Sequence, residues 1–174
     1  PPVQAVTLLE AIKLIESPEG DERRKRLQEN IHYFKAEMAK TLRLLDKNLQ
    51  EAISNESSHQ ASSNITHNMT NAEETLPAFT ALPYVLPYLL DSDSPIQPLV
   101  IGEDQMAMDI SELLREQGIW VSAIRPPTVP QNTARLRMTI TAEHTTKMID
   151  QLIIALEKVM NRYYLDDLDC LEIK

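Results

Sequence analysis

The feature that most constrains this chain is a run of large apolar residues at helical spacing: Leu27, Ile31, Phe34, Met38, Leu42, Leu45 and Leu49. They recur every three or four positions, while Glu22, Arg23, Arg24, Lys25 and Glu29 occupy the other faces. That pattern predicts a long amphipathic helix with one buried stripe, packed on a domain core rather than paired in a coiled coil. A shorter helical pattern precedes it, with Ala5, Leu8, Leu9, Ile12 and Ile15 in phase. Ser17-Pro18 marks the restart between the two, because serine caps orphan amides and proline suits the first helical position.

From residue 47 the character changes. The segment 47–84 opens as a polar, aperiodic stretch of Ser, Asn, Thr and His, and is expected to be a solvated, mobile insertion. The stretch 76–90, which runs past its end, is apolar and proline-rich and reads as an extended segment at the edge of the core. After Pro95 the periods sharpen again. Short strands are predicted over 96–101, 119–124 and 134–141, and helices over 104–117 and from Thr145 or Thr146 onward, with Gly118 placed to end the first. The implied fold class is α/β: a small three-stranded, mostly antiparallel sheet whose helices cover mainly one face. The domain plan is a helical region over 1–46, the insertion over 47–84, an α/β domain over 85–163 and an acidic tail over 164–174.

The chain has 174 residues, enough for one domain with a real core. Its formal charge of −9 argues against nucleic-acid binding, which needs a basic face. No stretch is long and apolar enough for a membrane span. One cysteine, Cys170, excludes an intrachain disulfide framework and fits a reducing, cytoplasmic compartment. The start at Pro1-Pro2-Val3, without a methionine, reads as though upstream sequence belongs to the same protein.

Signatures of chemistry are few. There is no phosphate loop, no nucleophile elbow and no matched set of metal ligands; His32 and His144 are read as surface or capping residues, and His59 and His67 lie in the insertion without a matched ligand set. One constellation stands apart. Arg125 ends a strand ahead of Pro126 and Pro127, which stiffen the loop, and Thr128 offers a hydroxyl nearby. A guanidinium so held suits bidentate binding of a carboxylate. Arg135 and Arg137, on one face of the next strand, would extend the positive patch. The competing reading is that these arginines pair with the abundant acidic residues, and the sequence leaves both open.

The runs Ser94-Pro95-Ile96-Gln97-Pro98-Leu99-Val100-Ile101-Gly102, Ala123-Ile124-Arg125-Pro126-Pro127-Thr128-Val129-Pro130 and Thr133-Ala134-Arg135-Leu136-Arg137 resemble a known family. They are similar to the carboxyl-terminal domain of the α-oxoamine synthases, pyridoxal-phosphate enzymes of fold type I, and the Arg-Pro-Pro-Thr-Val-Pro loop favours the biotin-pathway branch. The resemblance implies a cytoplasmic homodimer that condenses L-alanine with a pimeloyl thioester, carried by coenzyme A or an acyl carrier protein. Carbon dioxide is lost and 8-amino-7-oxononanoate is made. It also implies Arg125 as the carboxylate-binding arginine and Thr128 as a neighbouring substrate contact. Relatives usually have glycine where this chain has Asn132, the next most tolerant residue for a left-handed turn. The segment carrying the cofactor lysine is absent, so no catalytic or cofactor-binding residue is expected here, no metal site, and no activity from this chain alone. Alternatives are a glycine-using relative, or a stand-alone carboxylate-binding module.

Overall fold

A computed structural model describes residues 2–60 and 86–164. In chain order the elements are α1 (Pro2–Ile15), α2 (Pro18–Gln60), β1 (Tyr88–Leu89), β2 (Ile96–Gly102), α3 (Asp104–Glu116), β3 (Ser122–Ile124), β4 (Ala134–Thr139) and α4 (Thr146–Tyr164). The strands form one antiparallel sheet in the order β1-β2-β4-β3. Its helices lie on one face, as the periodicity implied. The sheet has four strands rather than three, because the backbone after Pro87 pairs Tyr88 with Val100 and Leu89 with Leu99 along the open edge of β2.

Register sorts the sheet's side chains. Leu99 faces Leu136 and Gln97 faces Met138, and all four are buried under the helices. Pro98 lies opposite Arg137 and Val100 opposite Arg135, on the other face. Because side chains alternate along a strand, a one-residue slip would drive arginines into the core. The core is completed by Ile31, Phe34 and Met38 of α2, Ile110 and Leu114 of α3, and Leu156 and Met160 of α4. Burying each such side chain stabilises the fold by about 1.5–3 kcal/mol.

Polar contacts fix the helices onto this layer. Asn30 donates from Nδ2 to the carbonyls of Thr141 and His144, at 2.9 and 2.7 Å. The Tyr33 hydroxyl donates to Asp150 at 2.6 Å, joining α2 to α4, and that carboxylate raises the Tyr33 pKa. Buried Gln97 donates to the carbonyls of Ser94 and Ser92, which anchors the turn entering β2. The predicted caps are present. Thr145 Oγ1 accepts from Met148 N–H at the start of α4, and Gly118 follows α3 at φ 78°.

The break between α1 and α2 falls where Ser17-Pro18 placed it. Ser17 Oγ accepts from Gly20 N–H and donates to the Leu14 carbonyl, and Arg24 donates to the Ile15 carbonyl at 2.8 Å. These bonds satisfy groups that a helix end leaves open. Gly20 is required at this elbow, since a Cβ there would stand 2.5 Å from the Leu14 and Ile15 carbonyl oxygens.

The long helix differs most from the sequence reading. It does not stop near residue 47 but continues to Gln60. Leu49 extends the apolar stripe and is 3% exposed, while Lys47–Glu51 and Gln50–Asp46 pair one turn apart on the polar side. The polar composition hid the helix beyond Leu49, the last residue of the apolar stripe read from the sequence. The rest of the expected insertion, through residue 85, and the acidic tail from residue 165 lie outside the described residues. Leu49→Ala is expected to cost about 2–5 kcal/mol in chemical denaturation. Leu44→Ala, on the same helix but 51% exposed, should change stability by less than about 1 kcal/mol. Equal effects would mean that the helix end does not pack.

Candidate functional site

The arginines flagged in the sequence lie around one hairpin. Strands β3 and β4 pair as Ser122–Arg137, Ala123–Leu136 and Ile124–Arg135, so a loop from Arg125 to Thr133 closes on the Ile124–Arg135 pair. Pro126, Pro127 and Pro130 fix three of its φ angles and remove three amide protons; the Pro126–Pro127 peptide is cis. Thr128 N–H donates to the Arg125 carbonyl at 3.1 Å, which folds the first part of the loop into a turn. Asn132 takes φ 59°, the left-handed conformation that asparagine tolerates.

The structure treats the arginines differently. Arg125 and Thr128 are exposed at the mouth of the loop. Arg125 also lines a cavity of about 320 Å³ at the sheet edge, with Ser111, Glu112 and Arg115 of α3 and with Trp120. Arg137 is exposed on the uncovered face, between Pro98 and Ser122 on the flanking strands. Among the described residues, neither Arg125 nor Arg137 has an ion-pair or hydrogen-bond partner for its guanidinium. Arg115, by contrast, is paired with Glu112. Arg135 is half-buried, and its guanidinium is committed to Thr133: Nε donates to the carbonyl at 3.1 Å and Nη2 to Oγ1 at 3.2 Å. The positive patch therefore contracts to Arg137 on this face, with Arg125 at the loop mouth.

Two features had escaped sequence reasoning. Thr133 carries the polar contacts of the loop's return, and its only signal was a hydroxyl two positions before an arginine. Trp120 is 80% exposed, and a strand pattern alone does not reveal that an aromatic residue lies outside the core. His144 is a local cap: its Nδ1 accepts from Thr141 N–H at 3.2 Å. His32 is exposed and bonds to the Gln28 carbonyl. No group of metal-ligating residues forms among the described residues. No described helix is long and apolar enough to cross a membrane.

A pyridoxal-phosphate site fits these residues poorly. A Schiff-base lysine works through a neutral amine, which burial in an apolar or cationic setting provides. Here Lys13, Lys40 and Lys47 are exposed partners of Glu10, Glu37 and Glu51. Lys25, Lys147 and Lys158 stand in solvent. Lys35 bonds Asp91 at 2.7 Å, and that carboxylate holds its pKa above the ordinary 10.5. A helix amino terminus is the usual seat for a phosphate. That of α3 is capped by Glu103, which accepts from Met106 N–H, and carries Asp104 in its first turn.

The fold and loop define a class: an antiparallel small domain, covered by helices on one face, that presents an arginine-bearing loop at its sheet edge. Residues 2–156 match the aminotransferase class I and II family, and the chain belongs to that family. It is 36% identical to 8-amino-7-oxononanoate synthase of Photorhabdus laumondii over 157 residues, 90% of this chain and 29% of the relative. Against the enzyme of the same name from Saccharophagus degradans, identity is 54% over 72 residues, 41% of this chain and 18% of the relative. The crystal structure of 8-amino-7-oxononanoate synthase from Francisella tularensis shares the fold, with a TM-score of 0.50 at 21% identity over 91% of this chain and 32% of that one. The chain thus spans less than a third of the length of these relatives.

The Lys35–Asp91 pair yields a prediction with a definite sign. Asp91 titrates below its ordinary 3.8 because Lys35 donates to it. Its stabilising contribution is present above 3.8 and fades as pH falls through the lowered value. That of Lys35 is present below 10.5 and fades as pH rises through the raised value. Carboxyl NMR should give an Asp91 midpoint below 3.8 that returns toward 3.8 in Lys35→Met; an unchanged midpoint would show that the two side chains do not pair in solution.

Proposed function

We propose that this chain is the carboxyl-terminal small domain of a pyridoxal-phosphate-dependent acyltransferase of the 8-amino-7-oxononanoate synthase type. The whole protein would condense L-alanine with a pimeloyl thioester, release carbon dioxide and the thiol carrier, and serve biotin synthesis as a cytoplasmic homodimer. The observation that carries this reading is identity of 36% sustained over 90% of the chain. The cofactor would be held by the remainder of the protein, since the lysines and the helix terminus described above do not suit it.

The contribution of this chain is then to bind and orient the amino acid. Arg125, with the Thr128 hydroxyl beside it, receives the substrate carboxylate on a loop whose prolines limit its freedom. A charge-assisted bidentate pair supplies both attraction and angle. A second anchor is favoured by a specific observation: Arg137 stands on a strand flanked on both sides, with no partner for its guanidinium among the described residues. Exposure without an ion pair leaves both arginines available to an anion; the carboxylate nearest the Arg125 cavity, Glu112, is engaged by Arg115. A stand-alone carboxylate-binding module would use the same residues without chemistry, and turnover by the full-length protein separates the two readings.

Two outcomes are expected. The 174-residue chain mixed with pyridoxal phosphate should give no stoichiometric, borohydride-reducible adduct at any one lysine; such an adduct would place the cofactor site within this chain. In the full-length protein, Arg125→Ala should lower kcat/KM for L-alanine by about one to two orders of magnitude. Each lost charged hydrogen bond is worth roughly 1.5–3 kcal/mol, and ~1.4 kcal/mol is tenfold. Arg125→Lys should rescue only in part, because an ammonium cannot reproduce the planar fork. If Arg125→Ala is silent and Arg137→Ala carries the loss, the anchor is the strand arginine; if both are silent, the carboxylate lies elsewhere.

A further inference from the structure

We infer that Thr133 and Arg135 are positioning residues that set the geometry of the Arg125–Thr128 loop mouth, and that Arg135 is not itself a substrate contact. This rests on the carboxylate reading of Arg125 given above. Three bonds carry the inference. Thr133 Oγ1 donates to the Pro130 carbonyl at 2.8 Å, and the same oxygen accepts from Arg135 Nη2 at 3.2 Å. Arg135 Nε donates to the Thr133 carbonyl at 3.1 Å. The hydroxyl thus uses both its donor and an acceptor site, and the guanidinium spans backbone and side chain of one residue.

The place of this clamp in the hairpin gives it leverage. Arg135 pairs across the sheet with Ile124, the residue immediately before Arg125, and with Val100 on the other side. It is therefore fixed by strands on both flanks, and Val100 is buried. From that fixed point the guanidinium reaches back to Thr133, and Thr133 reaches back to Pro130. The outgoing limb is held by the Thr128–Arg125 turn. Pro126 and Pro127 stiffen the chain within the first tie and Pro130 at the start of the second, so little backbone freedom remains once Thr133 is bound. Loss of the hydroxyl frees the returning limb and lets the mouth of the loop, including Arg125, spread over many orientations. A misplaced charged anchor loses the angular part of a bidentate contact before it loses the charge.

Thr133→Val keeps the shape of the side chain and removes the hydroxyl, while Thr133→Ser keeps the hydroxyl. In the 174-residue chain, amide exchange of Thr128, whose N–H is bonded to the Arg125 carbonyl, should speed up about tenfold in Thr133→Val, with exchange in α2 and α4 unchanged, and return to the parent rate in Thr133→Ser. In the full-length protein, KM for L-alanine should rise about five- to tenfold in Thr133→Val while kcat and KM for the acyl thioester hold, again with rescue by serine. Arg135→Lys should follow Thr133→Val. Unchanged loop exchange overturns the clamp whatever the substrate is. Faster exchange with an unchanged KM overturns the positioning role, and Arg125→Ala in the same assay then shows whether the carboxylate reading has failed as well.

Discussion

The antiparallel register between β2 and β4 is the constraint on which the rest of this structure depends. Pairing Leu99 with Leu136 and Gln97 with Met138 puts one set of side chains under the helices. The same pairing leaves Arg135 and Arg137 outside. The register is strongly specified because a slip by one residue would exchange Leu136 for an arginine in the core, and burying an unpaired charge costs far more than one core contact returns. The helical stripe of α2 and the apolar faces of α3 and α4 are the matching half of that specification. Function is then assigned to the face and edge that the helices leave free.

This division explains how the loop can be both exposed and exact in its geometry. Loops at the end of a sheet carry polar groups without burying them, and a rigid scaffold beneath gives them position. Here the scaffold is a closing strand pair at Ile124–Arg135, and the stiffness comes from three prolines and one threonine hydroxyl. The arginines differ in what they are free to do. Arg135 is consumed within the loop, whereas the guanidinium groups of Arg125 and Arg137 have no partner among the described residues. Residue type alone did not separate them, and hydrogen-bond accounting did.

Much of the fold was legible in the sequence because it follows from period and punctuation. The apolar spacing from Leu27 to Leu49 gave the long helix, Ser17-Pro18 gave its start, Gly118 the end of α3, and the alternation from Ala134 to Thr141 gave β4, which ends two residues earlier, at Thr139. What was not legible depended on tertiary contact. The continuation of α2 beyond Leu49 to Gln60 runs through a stretch whose polar composition favours coil. The added strand β1 is two residues of backbone pairing with no pattern of its own. For the site, the Arg-Pro-Pro-Thr motif marked the loop, yet the sequence grouped Arg135 with Arg137 because alternation places both on one face. Alternation fixes a face and leaves open which partner a flexible guanidinium takes, and Thr133 is that partner for Arg135.

The role proposed for this small domain is to supply the amino-acid carboxylate contact of a larger enzyme. The most direct measurement is a crystal structure of the full-length protein with L-alanine bound. The account predicts that the carboxylate oxygens lie within hydrogen-bond distance, ~2.7–3.2 Å, of a guanidinium from the Arg125 loop or from Arg137, with Arg135 still bound to Thr133. A carboxylate held entirely by groups outside this chain, with both arginines turned to solvent, would contradict it.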